Sequence, residues 1–329
     1  NYVVFLLRAL GYEDGKDFQY AESLTFAEKL GFYQADYFEG PFLRDDLAAI
    51  TLQALATDKK GGETYLLKSL IDTGAVDATK AKNLTEKIEN YRALTRATDA
   101  VDSVSQDTNS LTQARGTVQY AGDTMDVSFD SSTREKIVLR NGKVQLSSET
   151  KITQNGETTE SGTWIKDGWL YLYTKDGGVT AKNKVAVDDS MTDADLAEVE
   201  SNQVDKVGLS AIKSISVVKD GLTSYYSVDV DASAAAFLSG ILENYVDEDD
   251  KDLTSIEVSD IKVTYTVNGQ GVLGAMTTSF RLKIVYASGE FQGDPMVMDM
   301  KYTVATNILA TGNAVSITFP DFSDYVILN

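Results

Sequence analysis

The spacing of apolar residues changes part-way along this chain of 329 residues. Up to about residue 80 they recur at intervals of three and four, as in Val3, Leu6, Leu7 and Leu10, which is the repeat of an amphipathic helix. From about residue 113 they alternate with polar residues, as in Met125-Asp126-Val127-Ser128-Phe129, which is typical of strands. The change predicts an α+β protein: a small all-α segment followed by a large antiparallel β-sheet.

Residues 1–80 are predicted to form four short helices that repeat. The segment Phe5-Leu6-Leu7-Arg8-Ala9-Leu10 is similar to Ile50-Thr51-Leu52-Gln53-Ala54-Leu55, 45 residues later. Residues 24–31 match residues 67–74, because each segment runs from a leucine to a glycine seven positions on. A helix–loop–helix unit that recurs in this way predicts stacked units, each too small to bury its own apolar face.

The order of these helices resembles that of S-layer homology repeats. The second helix of such a repeat opens on a Thr-Arg-Ala-Glu motif, and Leu43-Arg44-Asp45-Asp46 stands in that place. The resemblance implies a complete repeat at about residues 17–56, with parts of two others at 1–11 and 62–77. It also implies binding to cell-wall polysaccharide through Tyr20, Arg44 and Asp46. Alternatively, the charged residues of the motif only stabilise a helix N-terminus.

The rest of the chain is predicted to contain a connector and a sheet domain. Residues 81–112 keep a helical stripe that ends in a loop at residues 106–110. Residues 113–329 contain alternating runs joined by turn signals such as Asn155-Gly156, which favour hairpins. Helical segments are predicted within the sheet domain at residues 192–200 and 232–245. The predicted strands include 125–129, 136–139 and 315–319.

This order of elements resembles the LolA/LppX-like lipoprotein-localisation superfamily, as found in uncharacterised Firmicutes surface proteins. The likeness includes the closing run Val315-Ser316-Ile317-Thr318-Phe319-Pro320-Asp321-Phe322-Ser323-Asp324-Tyr325. It implies a half-barrel, that is, a curved sheet with helices on its concave face, and a lipid or other apolar ligand held between sheet and helix. The ligand residues so implied are Trp164, Trp169, Phe237, Leu238, Ile241 and Tyr245.

Two groups of large side chains have more than one interpretation. Trp164 and Trp169 flank a tight turn and could stack on a ligand, or they could be cross-strand pairs of the core. Met296, Met298 and Met300 share one face of a strand, where they would line an adaptable cavity or an ordinary sheet core.

The acidic run after the second predicted helix suggests a calcium site. Carboxylates of Asp247, Asp249, Asp250 and Asp252 are ligands that Ca²⁺ prefers, so structural calcium is a possible cofactor. However, an EF-hand starting at Asp247 would need an oxygen ligand at Lys251 and a glycine at Asp252. A solvated acidic loop is the alternative interpretation.

Composition excludes most familiar active sites. The chain has no His and no Cys, which removes the commonest general base, thiolate nucleophiles and the commonest zinc ligands. Its net charge of −20 disfavours nucleic acid as a partner. The pattern at Gly269-Gln270-Gly271-Val272-Leu273-Gly274 lies between two predicted strands, which predicts a hairpin turn instead of a dinucleotide site. We therefore expect a protein that is not an enzyme.

These observations lead to three hypotheses. The first is a non-catalytic, extracellular protein of the bacterial cell surface or cell wall, in which the helices bind wall polymer or neighbouring surface proteins and the sheet binds an apolar ligand. The second is a structural subunit of a surface layer, and the third is a carboxylate-dependent enzyme acting on glycan. No apolar run reaches the length of a membrane-spanning helix. Because the chain begins with Asn1, we expect it to be a fragment or a processed product.

Overall fold

The computed structural model describes residues 2–33, 43–62, 64–102, 105–140, 143–187, 207–231, 253–286 and 295–328. The chain divides into two compact units. The first contains residues 1–95 together with 206–217 and 228–243. The second contains residues 96–205, 218–227 and 244–329.

Five α-helices lie within the described residues: α1 (Tyr2–Ala9), α2 (Ser23–Lys29), α3 (Arg44–Ala56), α4 (Leu66–Asp72) and α5 (Ala78–Asp102). The four helices predicted in residues 1–80 are present, and α3 carries an acidic first turn. Their organisation as S-layer homology repeats stays a prediction. No helix in the described part of the chain is long and apolar enough to cross a membrane.

Apolar side chains of α1 and α3 form the main core of the first unit. Leu7, Leu10 and Ile50 are almost completely buried. The same cluster contains Phe18, Ala27, Phe32, Ala54 and Leu66. Burying one large apolar side chain contributes about 1.5–3 kcal/mol. Helices of this length are marginal alone, so packing of their apolar faces is what stabilises them.

A second cluster of the first unit surrounds Tyr65. It contains Ala56, Leu67, Ile88 and Leu209. The Tyr65 hydroxyl donates a hydrogen bond to Oε1 of Glu89 at 3.2 Å, and the guanidinium of Arg92 lies 4.9 Å above the ring. Burial, reinforced by the Glu89 carboxylate, raises the pKa of Tyr65 to about 12.

The described strands form one sheet: β1 (Gln106–Tyr120), β2 (Asp123–Arg140), β3 (Lys143–Gln154), β4 (Glu157–Lys166), β5 (Trp169–Asp176), β6 (Val179–Ala186), β7 (Ile212–Asp220), β8 (Thr223–Val230), β9 (Leu253–Val267), β10 (Leu273–Tyr286), β11 (Met296–Thr311) and β12 (Val326–Ile327). Their order in space is β12-β6-β5-β4-β3-β2-β1-β11-β10-β9-β8-β7. The ladders from β6 to β9 are antiparallel, whereas β12 pairs in parallel with β6. The predicted large, mostly antiparallel sheet is thus confirmed.

Several local predictions are corrected by the structure. The loop predicted at residues 106–110 is wrong, because these residues open β1 and pair with β2 and β11. Polar side chains stabilise this part of the ladder: the hydroxyls of Ser110 and Thr306 lie 2.9 Å apart, and Arg134 contacts Asp107 at 2.7 Å. The two strands predicted at 125–129 and 136–139 are one strand, β2.

Other parts of the sheet domain also differ from the prediction or lie outside the described residues. The strand predicted at residues 315–319 is wrong, since this segment is irregular. Strand β6 was not predicted, because its sequence Val-Thr-Ala-Lys-Asn-Lys-Val-Ala alternates only weakly. The helices predicted at 192–200 and 232–245 lie outside the described residues, so helices on a concave face stay a prediction.

The raised pKa of Tyr65 predicts a loss of stability at alkaline pH. The Tyr65 phenol has a pKa of about 10 in the unfolded chain and about 12 in the folded one. The unfolded state therefore loses its proton first, and the free energy of unfolding falls as the pH rises through this interval. Relative to Tyr65→Phe, the wild type should lose on the order of 2 kcal/mol over that range. Denaturant titrations at a series of pH values measure this difference. Tyr20→Phe, at an exposed tyrosine, serves as the control and should leave the wild-type pH dependence unchanged.

Candidate functional site

The three residues predicted to bind glycan lie on the surface of the first unit. Tyr20 begins a 3-10 turn and is 55% exposed. Arg44 is exposed and Asp46 is half-buried, both in the first turn of α3. The Asp46 carboxylate accepts a hydrogen bond from the backbone N–H of Leu43 at 2.5 Å. A side chain at the third helical position that bonds back to the residue before the helix in this way stabilises the helix N-terminus. Asp46 therefore stabilises its own helix, while Arg44 and Tyr20 are available to a ligand.

Trp164 and Trp169 flank the turn between β4 and β5, as the sequence indicates. Trp164 lies directly opposite Ser147, which lies opposite Lys136 on β2. Directly paired residues share a face of the sheet, so this tryptophan lies on the face that carries Lys136. We call it the charged face. The other residues predicted to contact an apolar ligand, Phe237, Leu238, Ile241 and Tyr245, lie outside the described residues.

Trp164 packs back onto a glycine of its own strand. A Cβ atom on Gly162 would lie 2.1 Å from the six-membered ring of Trp164, so no larger residue fits there without moving the indole. The tryptophan is 5% exposed, and its Nε1 has no hydrogen-bond acceptor among the described residues. Trp164 is thus mainly a core residue of this part of the sheet, as in the cross-strand interpretation.

The segment after β11 covers this region of the charged face. The rings of Phe322 and Tyr171 stack with centroids 3.7 Å apart, and Tyr325 meets Trp164 edge to face. Lys182 donates to Asp324 at 2.6 Å, and this contact raises the pKa of the lysine. Aromatic packing instead of strand pairing therefore holds residues 315–325 on the sheet.

A cavity of about 340 Å³ adjoins Trp164 on the charged face. Tyr173 and four charged side chains line it: Arg134, Glu149, Lys151 and Glu160. Glu149 and Glu160 are one pair of carboxylates that the glycan-enzyme hypothesis could use. Glu160 is engaged with Lys175 at 3.7 Å, and Glu149 is exposed.

The opposite face of the sheet carries three successive rows of apolar residues. Each row runs across neighbouring strands at directly paired positions. The residues are given in the order β2, β1, β11, β10 and β9. The first row is Met125, Val118, Met298, Ile284 and Ile256, and the second is Val127, Gly116, Met300, Leu282 and Val258. The third row covers the first four of these strands with Phe129, Ala114, Tyr302 and Phe280. We call this surface the apolar face.

Exposure changes across the apolar face. Leu282 and Ile284 on β10 are completely buried, and Met300 on β11 is nearly so. On β2, by contrast, Met125 is 56% exposed and Phe129 is half-buried. The rows therefore begin in the core and end at a surface that an apolar molecule could reach.

Sequence reasoning missed most residues of the apolar face. It identified the shared face of the methionines on β11, and the structure confirms that Met298 and Met300 lie on one side. It did not bring Met125, Val127 or Phe129 next to them, although period-two alternation was visible in each strand. The missing information was the register between distant strands.

The predicted calcium ligands Asp247, Asp249, Asp250 and Asp252 lie outside the described residues. Within the described ranges no group of three or more acidic side chains is placed to hold a metal ion. The calcium site and the acidic-loop alternative both stay predictions.

No protein-family model and no curated protein matches this chain. Among solved structures it is similar to the ywiB protein of Bacillus subtilis, with 10% identity and a TM-score of 0.17 over 64% of this chain and 97% of that one. A DUF1329 family protein of Desulfovibrio piger has 12% identity and a TM-score of 0.21 over 72% and 96%. A domain from Vibrio parahaemolyticus, described as an outer membrane lipoprotein-sorting protein, has 7% identity and a TM-score of 0.14 over 65% and 89%. Values this low carry no inference about the fold or function of this chain.

The contact between Gly162 and Trp164 predicts a specific effect of a small substitution. Gly162→Ala should displace the indole and destabilise the chain by about 1–3 kcal/mol through overpacking. In a Trp169→Phe background, the fluorescence of Trp164 should shift to longer wavelength. Gly274→Ala is the matched control, because a Cβ there meets only a carbonyl at 3.7 Å. Equal effects of the two substitutions would contradict the assigned packing.

Proposed function

We propose that this protein is a non-catalytic binding protein of the bacterial envelope whose sheet holds a lipid or another apolar ligand on the apolar face. The observation that carries the proposal is the set of three apolar rows that starts in the core on β10 and ends half-exposed on β2. With strands about 4.8 Å apart and same-face residues about 7 Å apart, five strands and three rows span roughly 19 by 14 Å.

The side chains of the apolar face suit a flexible apolar ligand. Met125, Met298 and Met300 are unbranched and polarizable, so they can adapt to ligands of different shape. Gly116 and Ala114 place the smallest side chains in the middle of the rows, beside Met300 and Tyr302. An apolar molecule that enters at β2 would meet no charged group at the paired positions of these rows.

The non-catalytic part of the proposal is supported by the geometry of the remaining candidate groups. The sequence also contains a Ser-x-x-Lys spacing at Ser148 and Lys151, which is the spacing of some catalytic Ser–Lys pairs on helices. Both residues lie on β3 three positions apart, so their side chains point to opposite faces and cannot form such a pair. Glu149 and Glu160 lie on the charged face, away from the apolar rows. The chain also lacks His and Cys altogether.

Binding of a fluorescent fatty-acid probe tests the apolar site. The double variant Val127→Ser with Phe129→Ser reduces apolar contact at the open end of the rows, and we expect probe affinity to fall about tenfold. The matched control, Asp126→Ser with Ser128→Ala, alters the same strand on the charged face. It should bind the probe like the wild type.

Two results would refute the proposal that the apolar face binds an apolar ligand. One is a wild-type protein that does not bind the probe at all. The other is a control variant that loses as much affinity as the apolar variant while both retain the wild-type unfolding transition.

For the first unit we propose attachment to cell-wall polysaccharide, as the S-layer homology resemblance implies. The exposed Arg44 at the start of α3 and the exposed ring of Tyr20 support it, because guanidinium groups and aromatic rings both contact glycans. This site would act as an anchor and is independent of the apolar face.

Retention on purified bacterial cell wall tests the anchor. Arg44→Ala should reduce retention several-fold, whereas Lys29→Ala removes another exposed cation at the end of α2 and should have no effect. Unchanged retention of Arg44→Ala would exclude this residue from the glycan site.

A further inference from the structure

The charged face carries three cations in one row across neighbouring strands. Arg115 on β1, Lys301 on β11 and Arg281 on β10 occupy directly paired positions. The strands are about 4.8 Å apart, and like charges at paired positions destabilise a sheet. A row of this kind therefore needs negative charge close to it.

Carboxylates of the chain compensate the two outer cations. Nη2 of Arg115 contacts both carboxylate oxygens of Asp130 at 2.7 Å. Arg281 binds Asp299 with two hydrogen bonds, from Nε at 2.7 Å and from Nη2 at 2.6 Å. These contacts hold the pKa of both aspartates below its usual value, so the ion pairs persist at neutral pH. Both guanidinium groups are thus fixed in position.

Lys301 is the central cation of this row. Neither Lys301 nor Lys262 has an ion pair within the part of the chain that the structure describes. Both lysines line a cavity of about 610 Å³ on the charged face. The cavity is also lined by Arg115, Arg281, Thr117 and Ser279, and by the carboxylates of Asp260 and Asp299.

We propose that this cavity binds the phosphate group of a small phosphorylated molecule. A phosphate ester carries close to two negative charges and three strong acceptor oxygens. Two lysines without an ion pair among the described residues, two arginines and two hydroxyl-bearing residues supply matching donors and charge. The volume exceeds that of phosphate alone and falls in the range of small-ligand pockets.

Calorimetric titration with glycerol phosphate and with pyrophosphate tests the site. The wild type should bind both, more weakly as salt rises, and should not bind glycerol. Lys301→Gln should weaken binding about tenfold or more, because it removes one of the two lysine charges that have no ion pair among the described residues. Lys283→Gln removes the same charge from the next row of this face without lining the cavity, so it should stay within about twofold of the wild type.

A second variant separates binding from folding. Asp260 stands at a β-bulge with φ of 54°, a conformation that asparagine also tolerates. Asp260→Asn removes a carboxylate from the cavity wall and should strengthen phosphate binding a few-fold. Such a gain cannot arise from partial unfolding.

Three outcomes would overturn the proposal: no preference for the phosphate probes over glycerol, equal losses in Lys301→Gln and Lys283→Gln, or weaker binding in Asp260→Asn. Sedimentation with phosphatidylglycerol vesicles, and with phosphatidylcholine vesicles as the neutral comparison, distinguishes the source of the phosphate. Binding of glycerol phosphate without vesicle binding supports a free metabolite. Vesicle binding that requires Lys301 assigns the phosphate to a lipid headgroup, and vesicle binding unaffected by Lys301→Gln counts against the cavity as the site.

Discussion

The pairing of β1 with β11 holds the sheet together. Strands β1 to β6 form one meander and β7 to β11 form another, and this ladder alone joins them in the strand order. It brings residues 106–119 against residues 297–311, a larger sequence separation than in any other ladder of the described sheet. Closing so large a loop costs entropy before its contacts form, so we expect this ladder to form late in folding.

The same ladder depends on two very small residues. Ala114 is completely buried, and a Cβ on Gly116 would lie 2.0 Å from the Asp299 carbonyl oxygen and 2.8 Å from Sδ of Met300. The close approach explains why β1 has no bulky side chain at these positions. A slip of one residue would move every β1 side chain to the other face, so the register determines both faces at once. The apolar rows and the cation row are therefore two consequences of one pairing.

Local features of the fold could be predicted from the sequence, because they depend on neighbouring residues. The acidic first turn and the apolar spacing of residues 44–56 predict the bounds of α3. The Asn-Gly sequence predicts the turn at residues 155–156, because both residue types tolerate the positive φ that they adopt there. Features that depend on distant partners could not be predicted. Residues 106–110 look like a loop until Arg134 and Thr306 are placed beside them. Residues 315–319 alternate like a strand, yet aromatic contacts of the following residues hold this segment on the sheet.

Net charge is a poor guide to what an individual cavity binds. The chain carries −20 overall, which repels extended polyanions because many fixed charges act on many phosphates together. At physiological salt, however, interactions between exposed charges are largely screened beyond about 8 Å. A small anion at Lys301 therefore responds mainly to the two arginines, Lys262 and the nearby carboxylates. The ion pairs of Arg115 and Arg281 largely neutralise the charge of those arginines, so Lys301 and Lys262 supply most of the local attraction. An acidic chain can thus exclude nucleic acid and still provide a site for a single phosphate group.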